Sequence, residues 1–344
     1  MDPLTHGLLG AVSARAVFGD RLPKGGAIVA GLAAMAPDLD LFINPSSDPT
    51  AIWINHRNFT HGLPFVPVGA ALSALPFLAF KRFREPVVFG ATLVAYFTHP
   101  ILDACTSYGT QLFRPFTDTR VAWDLVSVID PFFTVPLLAG LLWSIYRRTR
   151  GLGILLFIAV YFIFCGWQHA RALTAQSQLA SERGTAVERG RVMPMLFSPL
   201  LWRSVYISNG RIFADGVRLL PFKRGGVREG GQISRATPLP AAVGNKPESI
   251  RAFKILDWFA DGYVSASTDT SGHLLAGDQR FAINTGSTTP LWGLEFDQTL
   301  PEGFKGWGAG VTGRLSEREL FWRELVYGEG YRPMTPGSPT ASSP

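Results

Sequence analysis

PVVFGATLVAYFTHPILD, residues 86–103, is the stretch that decides how this chain is read. From Pro86 to Leu102 it is an uncharged apolar run, within the roughly 17–25 residues that a helix needs to cross a bilayer. It closes on His99 and Asp103. Positions i and i+4 share a helix face, so this imidazole and this carboxylate can reach one ion. Pro100 interrupts the hydrogen-bond ladder between them, a distortion that membrane helices tolerate where neighbours compensate. A desolvated His–Asp pair at the end of a span points to chemistry at a membrane boundary.

Working outward, three more runs are long enough, or nearly so, to span: Leu63–Phe80, Pro131–Tyr146 and Gly151–Trp167. Two shorter runs precede them, Pro3–Gly19 (broken by Arg15) and Gly25–Leu41, and read as a hairpin of two further spans. Ala14-Arg15-Ala16 mimics a signal-peptide cleavage site, but the residues before it carry Asp2 and no Lys or Arg, unlike a secretory leader. Lys81, Arg82 and Arg84 separate the third and fourth runs, Arg147, Arg148 and Arg150 the last two, and Arg21 and Lys24 the first two. Basic loops stay in the cytoplasm. Six spans would then place both termini and the long connections 42–62 and 103–130 on the periplasmic side.

Composition agrees with a membrane half followed by a water-soluble half. The 344 residues are 47% apolar and 17% charged, against about 25% charged in ordinary soluble domains. Residues 1–170 hold 12 of the 32 Lys and Arg and 10 of the 26 Asp and Glu. Disorder and collagen are excluded, and two cysteines, Cys105 and Cys165, exclude a disulfide-stapled miniprotein. The net charge of +6 does not imply nucleic acid, because the basic residues are scattered or sit between apolar runs. After a polar, helix-prone stretch, Ala170–Gly190, short alternating segments such as Ser204–Ile207, Gly262–Ser267 and Leu291–Phe296 predict a smaller β-rich (α+β) domain over 171–332. A Pro/Ser/Thr-rich tail, 333–344, reads as disordered. The chain shows no Walker, dinucleotide-binding or Gly-x-Ser-x-Gly motif.

Five of the six histidines lie in the membrane half: His6, His56, His61, His99 and His169. Asp38 and Asp40 end the second run, and His56 and His61 precede the third, with Thr60 read as a helix N-cap. With basic loops inside, His6, Asp38, Asp40, His61, His99 and Asp103 all fall at the outer ends of their runs. Imidazole and carboxylate together suit zinc, manganese or iron, with magnesium also compatible with the carboxylates. Four His and three Asp exceed one tetrahedral ion, so either two ions bind or some residues orient the others. Taken singly, each has a plainer reading: Asp38 or Asp40 as a helix cap, His6 as interfacial, His56 as a loop residue. Asp130-Pro131 reads as N-cap and first helical residue, and Asp124 is similar. His169 reads as interfacial, His273 as a turn residue, and Cys105 is a weak ligand candidate.

Met1-Asp-Pro-Leu-Thr-His6-Gly, Pro37-Asp38-Leu39-Asp40, His56-Arg57-x-x-Thr60-His61-Gly62 and His99-Pro-x-Leu-Asp103 together resemble the YdjM family, inner-membrane proteins described as metal-dependent hydrolases. Thr106-Ser-Tyr-Gly-Thr-Gln-Leu, Arg114-Pro-Phe-Thr-Asp118 and Ile129-Asp130-Pro131 resemble a longer-chain branch of it. The resemblance spans about residues 1–170. It implies a membrane-embedded helical hydrolase with metal held by His6, Asp38, Asp40, His56, His61, His99 and Asp103. Some members are described as binding the LexA repressor; the very short basic loops leave little cytoplasmic surface for that. The soluble half resembles no family.

The reading that follows is a bacterial inner-membrane, metal-dependent hydrolase of a lipid or other (phospho)ester, with one or two divalent ions lowering the pKa of a water and polarising a phosphoryl or acyl oxygen. Asp40, whose charge balances the cation, and Arg57, whose guanidinium suits a phosphate or carboxylate, are assigned to catalysis. Membrane lipids are the expected partners. The competing readings are a metal sensor or transporter, disfavoured by runs almost free of polar residues at mid-span, and a non-catalytic scaffold whose soluble half binds a partner.

Overall fold

The computed structural model describes residues 1–43, 47–149, 151–268, 272–308 and 315–334. The chain forms two compact units. One is Met1–Ser46, Ile54–Trp167 and Leu196–Pro199; the other is Ser47–Trp53, Gln168–Met195 and Leu200–Pro344.

The first unit is helical. Helix α1 (Pro3–Phe18) starts where the Asp2 carboxylate accepts from the Thr5 amide at 3.0 Å and the Thr5 hydroxyl at 2.6 Å, with Pro3 in its first turn. Helix α2 (Gly26–Met35) runs into a 3-10 turn, Ala36–Leu39, and the single turn α3 (Asp40–Ile43). The short α4 (Ala51–Asn55) is followed by 3-10 turns at Phe59–His61 and Leu63–Phe65, then α5 (Val66–Ala74) and a 3-10 turn, Leu75–Ala79. Helices α6 (Pro86–Ala104), α7 (Pro131–Tyr146) and α8 (Leu152–Glu182) are longer. Asp130 caps α7 by accepting from the Phe132 amide, with Pro131 in the first turn, as the Asp-Pro pair predicts.

The expectation of six spans is not confirmed. Among the described residues, α6 and α8 are long and apolar enough to cross a bilayer, the segments Ala51–His61 and Leu63–Ala79, bent by 54° at their junction, make a third if they form one span, and α7 is a shorter apolar helix. Proline is the physical reason. Pro64, Pro67 and Pro76 break the apolar run 63–80 into 3-10, α and 3-10 pieces, and Pro37 does the same after α2. Helix α1, with 16 residues, rises about 24 Å, short of the ~30 Å hydrocarbon core. Of the basic loop residues read for orientation, Arg150 lies outside the described residues.

Small residues bring α1, α2 and α6 together. Ala14, Ala30, Ala34, Ala91 and Ala95 form one buried cluster. Ala30/Ala34 and Ala91/Ala95 have the small-xxx-small spacing that lets membrane helices approach closely. A Cβ on Gly10 would stand 2.4 Å from Ala34 Cβ, and one on Gly31 would stand 2.9 Å from the Gly7 carbonyl. Leu8, Leu9, Leu102, Phe133, Leu137 and Tyr161 pack α1, α6, α7 and α8 into a second cluster.

The second unit is β-rich. Strands β1 (Arg189–Pro194), β2 (Leu201–Ser208), β3 (Arg211–Arg218), β4 (Gly226–Arg228), β5 (Gln232–Ser234) and β10 (Arg332–Pro333) form one antiparallel sheet, ordered β1-β2-β3-β4-β10 with β5 also paired to β3. Strands β6 (Val264–Thr268), β7 (Leu274–Asp278), β8 (Trp292–Phe296) and β9 (Phe304–Gly308) form an antiparallel meander. Helix α9 (Pro247–Phe259) buries Ala252, Phe253 and Leu256 against Val264, Ala276 and Leu294 of the meander; each such Leu or Phe contributes about 1.5–3 kcal/mol. Helix α10 (Leu315–Tyr327) precedes β10. The polar stretch after residue 170 is no separate element. Residues 168–182 are mostly good helix formers, so α8 runs unbroken to Glu182 and sets Ala172, Ala175 and Leu179 against Val192, Trp202 and Val217. Of the tail expected to be disordered, Pro333 pairs with Gly226 in the sheet, and residues 335–344 lie outside the described residues.

Candidate metal centre

Residues from three segments converge in the helical unit. Asp38 comes from the turn after α2, His61 from the turn before α5, and His99 and Asp103 from one face of α6. Each offers one ligand atom, and these atoms lie within 4.8 Å of one another. Asp40, His56 and His61 form a second such group, so His61 is shared.

The hydrogen bonds fix the histidine tautomers. His99 Nδ1 lies 2.6 Å from the Ala34 carbonyl oxygen, which can only accept, so Nδ1 carries the proton and Nε2 is left with a lone pair. His61 Nδ1 lies 3.0 Å from Thr60 Oγ1 and 3.3 Å from Asp40 Oδ2. The Thr60 hydroxyl already donates to Asp40 Oδ2 at 2.8 Å, so it accepts from His61, whose Nε2 is therefore also bare when the ring is neutral. These two Nε2 atoms face each other at 3.0 Å, fully buried. Two lone pairs at that distance repel; a metal ion bound by both nitrogens, or a proton on one of them, removes the repulsion.

The surrounding oxygens meet that need. Asp38 Oδ1 is 3.4 Å from both Nε2 atoms, and Asp103 Oδ2 is 3.4 Å from that of His61 and 3.6 Å from that of His99. Asp103 Oδ2 is buried and has no hydrogen-bond partner among the described residues. Donors bound tetrahedrally at ~2.0 Å from one ion stand about 3.3 Å apart, so the donor set fits a small divalent ion. Carboxylate–histidine pairing of the Asp40–His61 kind is the usual means of aiming a metal-binding imidazole.

The remaining expected residues lie around this group. His6 is buried, stacks on His99 with ring centroids 3.7 Å apart, and places Nε2 3.2 Å from Asp103 Oδ1. The Met1 nitrogen lies 2.5 Å from the same oxygen. His56 is half-buried with Nδ1 2.8 Å from Asp40 Oδ1. Arg57 is held in the left-handed region (φ 60°) with its amide donating to Asp40 Oδ2 at 3.2 Å. Its guanidinium donates to Thr106 Oγ1 at 3.1 Å, pairs with Asp103 Oδ1 at 3.0 Å, and lies over the Tyr108 ring. Thr60 is not an N-cap, as its hydroxyl is committed to Asp40. His169 packs edge-on to Trp202 and His273 pairs with Glu295, both in the β-rich unit. Cys105 and Cys165 are buried free thiols.

Sequence reasoning did not assign the supports. Thr106 donates to the Asp103 carbonyl at 2.7 Å, and Tyr96 OH donates to the Thr60 carbonyl at 2.9 Å. Gly62 lets the 112–114 backbone close on the His61 turn, where a Cβ would stand 2.9 Å from the Arg114 carbonyl. One signal was available: Thr106–Gln111 is an uncharged polar run shortly after Asp103, and the structure buries nearly all of it.

Residues 1–172 match the family model described as YdjM inner membrane protein. The chain is also similar to the protein YfhP of Bacillus subtilis strain 168, 30% identical over 182 residues that cover 50% of this chain and 54% of that relative. It thus spans about half the length of the curated relative it matches. No solved structure matches it.

Proposed function

The chain belongs to the YdjM inner membrane protein family, and from that premise we propose that it is a metal-dependent hydrolase of a lipid or lipid-linked (phospho)ester in the bacterial inner membrane. The observation that carries the reading is the pair of bare, buried Nε2 atoms of His61 and His99 with Asp38 and Asp103 beside them. A divalent ion held there, zinc being the best fit to two imidazoles and two carboxylates, supplies Lewis acidity and an activated water.

The chain's own residues do the rest. Asp40 orients His61 and His56 and adds negative charge. Arg57 holds the Asp103 carboxylate through one terminal nitrogen and is fixed by Thr106 through the other. Its buried Nε has no hydrogen-bond partner among the described residues, which leaves one donor for an anionic substrate group. Asp38, with 18% of its side chain exposed, is the open member of the group and the side from which a substrate reaches it. Leu39 and Phe42, exposed at 58% and 77%, flank Asp38 and Asp40; such apolar neighbours favour an acyl or polyprenyl substrate over a soluble one. We propose that α7, a shorter apolar helix, crosses as well, so that the basic loops on either side of α6 and α7 lie in the cytoplasm and both termini on the periplasmic side.

The test is metal analysis of detergent-purified protein, followed by a screen of lipid phosphoesters and esters. Hydrolysis is expected to vanish on chelation, return with Zn²⁺ or Mn²⁺, and fall by orders of magnitude in Asp40→Asn. Stoichiometric metal with no hydrolysis of any substrate would make the centre structural and overturn the enzyme reading.

A further inference from the structure

The β-rich unit carries a feature that the metal centre leaves unused: the segment Leu219-Leu220-Pro221-Phe222-Lys223-Arg224 between β3 and β4. Three hydrogen bonds tie it to one turn of α8. Gln168 Nε2 donates to the Leu219 carbonyl at 2.8 Å, and Arg171 donates to the Leu220 carbonyl at 3.1 Å and the Lys223 carbonyl at 2.6 Å. Those helix residues come directly after Trp167, where the continuous apolar run of α8 ends; the candidate span of this helix is only 17% buried within the protein. Where an apolar helix gives way to Gln and Arg after a tryptophan, it crosses the headgroup layer.

At the tip of this loop, Phe222 is 95% exposed and sits at φ 56°, a region that bulky residues rarely occupy. An exposed ring held at such a cost, fastened beside the point where a span leaves the membrane, is placed for insertion. Lys223 and Arg224 follow it. Behind them Arg218, Arg224 and Arg332 line a cleft of about 500 Å³ with no carboxylate among the described residues of its wall, although Arg332 also pairs with Glu182 and Glu229. Apolar tip and basic flank together match the layering of an anionic bilayer surface, acyl chains below phosphates.

We propose that the 219–224 loop is a membrane-interface anchor: Phe222 enters the acyl boundary while Lys223, Arg224 and the arginine-lined cleft engage the phosphates of anionic phospholipids. It holds the β-rich unit against the bilayer in which α8 lies. This inference is independent of the hydrolase reading.

The experiment uses the full-length protein in nanodiscs of phosphatidylcholine, with or without phosphatidylglycerol. Phe222→Cys, Arg224→Cys and the control Lys254→Cys on α9 are spin-labelled; native Cys105 and Cys165 are buried and escape labelling. The ratio of oxygen to aqueous nickel collisions is expected to be several-fold higher at position 222 than at 254, with 224 between them. The further changes Lys223→Glu and Arg224→Glu are expected to lower the ratio at 222 in the phosphatidylglycerol discs. If 222 is as open to the nickel reagent as 254, the loop faces water or a soluble partner and the proposal fails. Equal ratios at 222 in both lipid mixtures would remove the anionic-lipid part of it.

Discussion

His61 and His99 each spend one ring nitrogen on an acceptor and aim the other into the same small space. Removing a donor there is predicted to be decisive: His99→Ala or Asp103→Ala should lose most bound metal by elemental analysis, whereas His169→Ala and His273→Ala should keep it. A graded effect is expected from the supports. Thr60→Val deletes the hydroxyl that accepts from His61 and donates to Asp40, so metal affinity should fall about 10–100-fold, with full loading recovered at high metal. Arg57→Lys keeps the charge but loses the planar fork that reaches Asp103 and Thr106 together. Its expected signature is about tenfold weaker metal binding and, once metal is saturating, a raised KM with kcat little changed; an unchanged KM would show that Arg57 only positions Asp103.

At the level of elements, the site depends on how closely α1 and α2 approach. The Ala34 carbonyl that fixes His99 belongs to α2, and Ala34 Cβ fills the space that a Cβ on Gly10 would need. Gly10→Ala therefore pushes α2 away from α1 without touching a ligand. Overpacking of this kind costs about 1–3 kcal/mol, and a lowered midpoint of thermal unfolding in detergent should be accompanied by weaker metal binding. Gly153→Ala, on α8 with nothing within 4 Å of the added Cβ, is the matched control and should leave both unchanged.

For the whole molecule, orientation in the bilayer is the property most open to direct measurement. The basic residues Lys81, Arg82 and Arg84 lie between α5 and α6, and Arg147 and Arg148 follow α7. With those loops cytoplasmic, an alkaline-phosphatase fusion after residue 190 is expected to be active and one at Arg82 inactive. The reverse pattern would put the residues after α8 in the cytoplasm and restore a cytoplasmic partner as a reading.

The sequence by itself determined the helical membrane half, the β-rich second half and the residue types of the centre. Apolar runs, alternating segments and an Asp-Pro helix start are local patterns, set by the solvent that each stretch meets and by its own backbone chemistry. It also placed His6, Asp38, Asp40, His61, His99 and Asp103 at run ends, which proved to be one neighbourhood. The tertiary structure alone decided that the runs around Pro37 and Pro64–Pro76 break into short turns, that α8 continues to Glu182, and which atom of each residue faces which. His6 meets Asp103 from 97 positions away, and the partner of His99 is a main-chain carbonyl 65 positions earlier. Such pairings arise from helices closing on alanine and glycine surfaces. Small side chains have no chemistry of their own to announce what their contact will bring together.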